Sequence, residues 1–284
     1  MAEPPGGARG AWLRVVAGAM LCVAAGVGPA AAAPRAELWD RWLANDPAST
    51  IEVDHGAWGR LIARFTRPGA DGVTRFDYAA VAPEDKALLK TYLDALAASP
   101  VSRLGRAEQL AYWINLYNAL TVQVVLDHYP VDSIRDIDIS PGLFADGPWG
   151  RELITVEGEG VSLDDIEHRI LRPIWRDARL HYALNCASIG CPELYKEAFT
   201  ANTAEACLED SARAFINHPR GVTVTGRGLR LSRIYDWYRD DFGASDAELF
   251  AHLRRYGEPP LAAALAASPR ILGYDYDWRL NDVE

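Results

Sequence analysis

The stretch Arg106-Ala-Glu-Gln-Leu-Ala-Tyr-Trp-Ile-Asn115-Leu-Tyr-Asn-Ala-Leu-Thr-Val-Gln-Val-Val-Leu-Asp-His128 decides the architecture. Leu110, Trp113, Ile114, Tyr117, Leu120, Val124 and Val125 recur at three- and four-residue spacing. The stripe is broader than the one face a surface helix buries, so it predicts a long, central, buried helix. Asn115 and Asn118 lie three apart within it. Buried amides must find hydrogen-bond partners, so the two asparagines either fix a loop backbone or line a polar pocket.

Working outward, residues 36–66 read as two helices, the second capped by Asp54 with Trp58, Leu61, Ile62 and Phe65 at helical spacing. Pro68 to Gly72 stops it, residues 73–78 read as extended, and Pro83 opens a helix to about Ala98. Downstream, residues 152–156 suggest a hairpin arm, and Ser162-Leu-Asp-Asp165 resembles a capped helix start running to about Leu171. A strand is expected from His181, then helices from Pro192 and Thr203. Residues 222–231 alternate around Gly226-Arg-Gly228 as a hairpin does. Short helices at 234–241 and 246–256 and an extended piece at 271–276 complete the pattern. With no repeat and no regular βαβ rhythm, the fold class is α+β: one helix-rich domain around a small, mostly antiparallel sheet. Residues 34–71 form its N-terminal helical segment and 72–284 its main body.

The chain has 284 residues, 49% of them apolar and 24% charged, with a formal charge of −10, which suits a packed core. The acidic excess is dispersed and no basic stripe occurs, so phosphate-led binding of nucleic acid is excluded. Residues 1–33 read as a signal peptide: Arg9 and Arg14, an apolar run from Val15 to Val27, then Ala30 to Ala33. That run is too short to span a bilayer comfortably, so no stable membrane span is expected after cleavage. The expectation is an exported protein of the bacterial periplasm or extracellular space; no Asn-x-Ser/Thr sequon argues otherwise. Losing Cys22 with the signal leaves Cys186, Cys191 and Cys207, an odd count that does not suit a full disulfide framework. No nucleophile elbow, P-loop, Rossmann fingerprint or His-Glu-x-x-His occurs, and no cofactor is implied.

The chemistry concentrates in His181-Tyr-Ala-Leu-Asn-Cys186-Ala-Ser-Ile-Gly-Cys191-Pro192. Cys191 precedes a proline at an expected helix start, where free N–H groups and the dipole favour a thiolate. Strand alternation puts His181 on the face opposite Cys186, so Cys191, swinging back after the turn, is its natural partner. Glu167 lies between Leu163 and Ile170 on the core face of its helix; buried there, it needs a partner and can orient His181. His168 points about 100° away around the helix. The candidate catalytic set is therefore Cys191, Cys186, His181 and Glu167, supported by His168, Asn115 and Asn118. Two other arrangements compete: a Cys186–Cys191 disulfide beside a core histidine, and a zinc site of Cys186, Cys191, His181 and His168. The zinc spacing is looser than usual, and no metal is assigned. Trp237, Asp241, Asp277, Trp278 and Asn281 mix aromatics with polar groups, as a pocket for a small molecule or peptide would. Cys207 reads as a small core residue.

Five segments occur together: Ala111 to Leu120, Ser162 to His168, His181 to Pro192, Leu231 to Phe242 and Tyr274 to Asn281. In them, over roughly residues 72–281, the chain closely resembles the domain of unknown function 547 family. The resemblance implies an exported bacterial member and supplies no reaction. From the residues, the expected activity is a thiol-dependent hydrolase or acyltransferase acting on an amide or thioester. Cys191 or Cys186 would attack, His181 would shuttle the proton, Glu167 would orient it, and N–H groups after Gly190 would hold the oxyanion. The alternative is a non-catalytic envelope binding module with a Cys186–Cys191 disulfide.

Overall fold

The computed structural model describes residues 1–2, 34–142, 147–267 and 269–283. The expected signal peptide lies, apart from its first two residues, outside the described residues. Two helices lead to the core, α1 (Gly56–Phe65) and α2 (Pro83–Ala97), and the central helix α3 runs unbroken over Arg106–His128. Helix α3 is buried on nearly every side, because apolar side chains occupy all its faces. Trp58, Leu61, Ile62 and Phe65 of α1 and Leu89, Tyr92, Leu93 and Leu96 of α2 share its core. Polar groups at its start anchor the chain before it: Val53 N donates to Glu108, and Gln109 Nε2 donates to the carbonyls of Ala44 and Val101. The first helix expected in residues 36–66 is only a 3₁₀ turn, Asp40–Leu43, held by packing of Trp42.

Two antiparallel hairpins flank this centre, β1 (Thr66–Pro68) with β2 (Thr74–Phe76) and β3 (Ile154–Val156) with β4 (Glu159–Val161). Ser162 and Asp165 then cap a helix whose first part, Asp165–Leu171, is π-helical and runs into α4 (Arg172–Trp175). The Arg172 N–H reaches back five residues to the Glu167 carbonyl. Pro173 has no N–H, so it can offer a donor to neither the His168 nor the Arg169 carbonyl. Glu37 and Trp39 supply donors instead, each at 3.0 Å.

After α5 (Leu180–Ala183) the chain is irregular up to α6 (Ala204–Asn217). Next come β5 (Val222–Thr225) and β6 (Gly228–Ser232), paired antiparallel, then α7 (Ile234–Trp237), α8 (Arg239–Phe242), α9 (Asp246–Tyr256) and α10 (Pro259–Ala266). These helices return the chain so that β7 (Ile271–Asp275) lies parallel to β6, the crossover a parallel pair requires. Gly228, at φ +150°, lets the Arg270 carbonyl approach, since a Cβ there would stand 2.2 Å from its oxygen. This sheet packs with α6 and α9 around a second apolar centre containing Phe215, Leu231, Tyr235 and Leu253. The α+β class is as expected, with small, mostly antiparallel sheets among helices. Among the described residues, no helix is long and apolar enough to cross a membrane.

Two local expectations are corrected. Leu180–Ala183 is a helical turn, not a strand. Asp177 starts the turn by accepting from the N–H of Arg179, and the groups a neighbouring strand would take are bound by a side chain. Asn118 donates to Ala183 O at 2.9 Å and accepts from Asn185 N at 2.8 Å. Pro192 opens no helix. The carbonyls there are committed: Pro192 O accepts from Asn185 Nδ2, and those of Ile189 and Cys191 accept from Arg220.

Candidate active site around His181 and Cys186

Four charged or titratable side chains from four segments meet in the interior. The π-helical segment turns Glu167 inward, α4 brings Arg172, α5 brings His181 and α8 brings Asp241. His181 Nε2 lies 2.7 Å from Asp241 Oδ2, and its Nδ1 lies 3.5 Å from Glu167 Oε1. Arg172 Nε donates to the same Asp241 oxygen at 2.6 Å, while its Nη1 donates to Pro34 O and His168 Nδ1. The His181 ring stacks on Tyr238, with centroids 4.0 Å apart. Tyr117 donates to Glu167 Oε2 at 3.3 Å.

Burial alone would push both carboxyls up. For Glu167, His168, His181 and Arg172 outweigh it and hold the group down at about 2. For Asp241, His181 and Arg172 do the same, again to about 2. Burial works against the His181 cation, but hydrogen bonding to Asp241 and Glu167 prevails and raises it. His168, although its Nε2 lies 3.6 Å from Asp164, is driven down to about 4 mainly by burial, so it is a neutral acceptor for Arg172. The two carboxylate neighbours of His181 thus favour its imidazolium form. The contact with Glu167 was anticipated; the one with Asp241 was not.

The thiols form a second, adjoining group. Cys186, Cys191 and Cys207 are free. The expected pairing of Cys191 with His181 is not formed, because both ring nitrogens face carboxylates. Cys191 Sγ accepts from Cys186 N at 3.0 Å and approaches Leu184 O at 3.5 Å. Cys186 Sγ lies 3.0 Å from Tyr276 OH and 3.3 Å from Ser188 Oγ, and those two hydroxyls lie 2.9 Å apart. Hydrogen bonding from Cys191, then from Ser188 and Tyr276, lowers Cys186 against burial and the nearby Glu167 charge. Burial raises Cys191, and the Cys186 sulfur raises it further. Cys186 is partly exposed while Cys191 is buried, so Cys186 is the better placed nucleophile.

The oxyanion site expected after Gly190 is not available. Gly190 N donates to Asp277 O and Cys191 N to Ser188 O. The amides beside the reactive sulfur are also used: Cys186 N by Cys191, and Ala187 N by Asn185 Oδ1. Ala187 sits at φ +58°, a conformation that strains a residue bearing a Cβ. Polar donors at Cys186 are therefore side chains, the hydroxyls of Tyr276 and Ser188.

Of the expected pocket residues, Trp237 and Trp278 pack on Tyr276 at 4.8 and 4.6 Å and make an aromatic wall beside Cys186. Asp241 belongs to the charged centre. The Asp277 carboxylate turns to Arg279, and Asn281 accepts from Tyr78 OH and donates to Asn185. The proposed zinc set is not assembled; among the described residues, no three His, Cys, Asp or Glu side chains are grouped to hold a metal. Arg172, Ser188, Tyr238 and Tyr276 were not singled out from the sequence.

Both α3 asparagines fix loop backbones. Asn115 clamps Phe199, donating to its carbonyl at 2.7 Å and accepting from its N–H at 3.0 Å. Asn118 holds Ala183 and Asn185 as described. Asn118→Leu, which strands a buried carbonyl and a buried N–H, is expected to lower stability by about 2–4 kcal/mol. Urea unfolding checks it; a loss below about 1 kcal/mol would show that the two groups re-pair.

No curated protein and no solved structure matches the chain. Over residues 101–216, from the turn before α3 through Cys186 and Cys191 to the end of α6, the sequence matches the model of a family described as "Protein of unknown function, DUF547". The part of the chain similar to that family is thus the stretch that holds α3, the buried Glu167, His181 and both thiols.

Proposed function

We propose that the protein is a thiol-dependent hydrolase or acyltransferase in which Cys186 is the nucleophile. The carrying observation is the partly exposed Cys186, whose sulfur is hydrogen-bonded to Tyr276 and Ser188 and bordered by Trp237 and Trp278. Hydrogen bonds to the sulfur favour the thiolate, and its ionised fraction is the attacking species in this reading. It attacks the carbonyl of an amide or thioester, forming a thioester with the enzyme and releasing the leaving group, which takes a proton from solvent. The Tyr276 and Ser188 hydroxyls are also the donors nearest the developing oxyanion. Water or a second nucleophile then releases the acyl group. The His181, Glu167, Asp241 and Arg172 group acts as a positioning core, fixing Tyr238.

In reduced protein at pH 7, iodoacetamide is expected to label Cys186 roughly tenfold faster than Cys207. Tyr276→Phe should slow that labelling by shifting the Cys186 titration upward. An activated ester or thioester probe should leave its acyl group on Cys186, read by peptide mass. Equal labelling of both cysteines, with no acyl adduct, would reject the nucleophile and favour the binding-module alternative.

A further inference from the structure

The two sulfurs have unequal surroundings and are close. Cys186 is partly exposed and Cys191 is buried beneath it, with its sulfur on the Cys186 amide at 3.0 Å. The loop that joins them is pinned at several points. Cys191 N donates to Ser188 O, Gly190 N to Asp277 O, and Arg220 donates to the carbonyls of Ile189 and Cys191. Between them, Ala187 holds its strained φ of +58°. A reactive, accessible thiol with a second thiol fixed beside it is the arrangement that captures a sulfenic acid before further oxidation.

From this geometry we infer that Cys186 and Cys191 form a reversible redox switch, in which a hydroperoxide oxidises Cys186 and Cys191 resolves it as a disulfide. The inference rests on Cys186 being the reactive thiol. In the first step the Cys186 thiolate attacks the terminal peroxide oxygen. The O–O bond breaks, the sulfur is oxidised to a sulfenic acid, and water or an alcohol leaves with a proton from solvent. In the second step the Cys191 sulfur attacks, an S–S bond forms, the S–O bond breaks, and water leaves carrying the Cys191 proton. A dithiol reverses the change by two exchanges and is itself oxidised to a disulfide. While the disulfide stands, Cys186 has no thiolate and acyl transfer stops. Cys207 lies apart on α6, beside Thr203 and Tyr195, and serves as an internal control.

The test uses the full chain, reduced and then freed of reductant, treated with hydrogen peroxide in small molar excess. The expected result is a loss of two hydrogens in intact mass. Cys186 and Cys191 should become closed to iodoacetamide while Cys207 stays open, and dithiothreitol should restore both. In Cys191→Ser the same treatment should add one oxygen to Cys186, which dimedone traps; the wild-type mass change stands without that variant. The switch is overturned if Cys186 gains two or three oxygens with Cys191 still a thiol, if Cys207 oxidises first, or if millimolar peroxide changes nothing. Rapid Cys186 labelling with no disulfide would remove the switch and leave the nucleophile standing. A disulfide without acylation by esters would remove the acyl-transfer reading and leave the switch.

Discussion

Lowering the pH from 7 to 5 is expected to cost this fold several kcal/mol before its carboxylates are protonated. His55, His168 and His252 are each held neutral, with burial the main cause and a folded value of about 4. Unfolded, each takes a proton near 6.5. Between about 6.5 and about 4 the unfolded chain therefore binds more protons, and stability falls as pH drops through that window. At pH 5 each histidine has cost about 2 kcal/mol, against a total stability of about 5–15 kcal/mol for a domain. His181 has the opposite sign: its raised value contributes stability that is complete below about 6.5 and is lost as pH rises. Asp164, raised to about 6 mainly by burial, also gains on acidification, but its side chain is 40% exposed and solvent screens it. Glu167 and Asp241, held down at about 2, give up their contribution only below about pH 4. Urea midpoints at pH 7, 6 and 5 measure this directly. A flat profile would mean that the three histidines are hydrated, and His55→Gln should remove part of the slope.

His181→Ala should be the most damaging substitution at the site, with a loss of about 3–5 kcal/mol at pH 7. It takes the only side chain that touches both Glu167 and Asp241 in the contacts described, leaving Glu167 without its imidazolium contact. It also removes a ring stacked on Tyr238, opening a cavity. Arg172 still faces Asp241, so Glu167 bears most of the cost. Cys186→Ser keeps the volume and hydrogen bonds and should stay within about 1 kcal/mol of wild type. Thermal and urea unfolding of the two variants separate the positioning core from the reactive thiol. A His181→Ala loss below about 1 kcal/mol would mean that the carboxylates are not desolvated.

Legibility in the sequence followed the range of the interactions. Helix α3 and the hairpin at 222–231 declared themselves, because their patterns repeat over neighbouring positions. Glu167 could be placed in the core from Leu163 and Ile170 alone. The stretch 180–192 was misread because distant side chains, Asn118 and Arg220 among them, satisfy its backbone groups. Asp241 looked like pocket lining; no local pattern could show Arg172 and His181 converging on one of its oxygens. Ser188 and Tyr276 carried no signal, since an ordinary hydroxyl becomes informative only once a sulfur is seen beside it.

Pro173 gives the N-terminal segment an unexpected weight. An ordinary N–H at that position could satisfy one of the two carbonyls within the helix. Glu37 and Trp39 donate their N–H groups to those carbonyls from outside, and Trp39 lies under Arg169 as well. The angular address of Glu167 is therefore written in two places, an imino acid six residues later and a strap more than a hundred residues earlier. One residue of slippage turns a helix by about 100°, enough to trade Glu167 for a neighbour opposite His181. A segment that touches neither sulfur nor imidazole thus keeps the carboxylate in register.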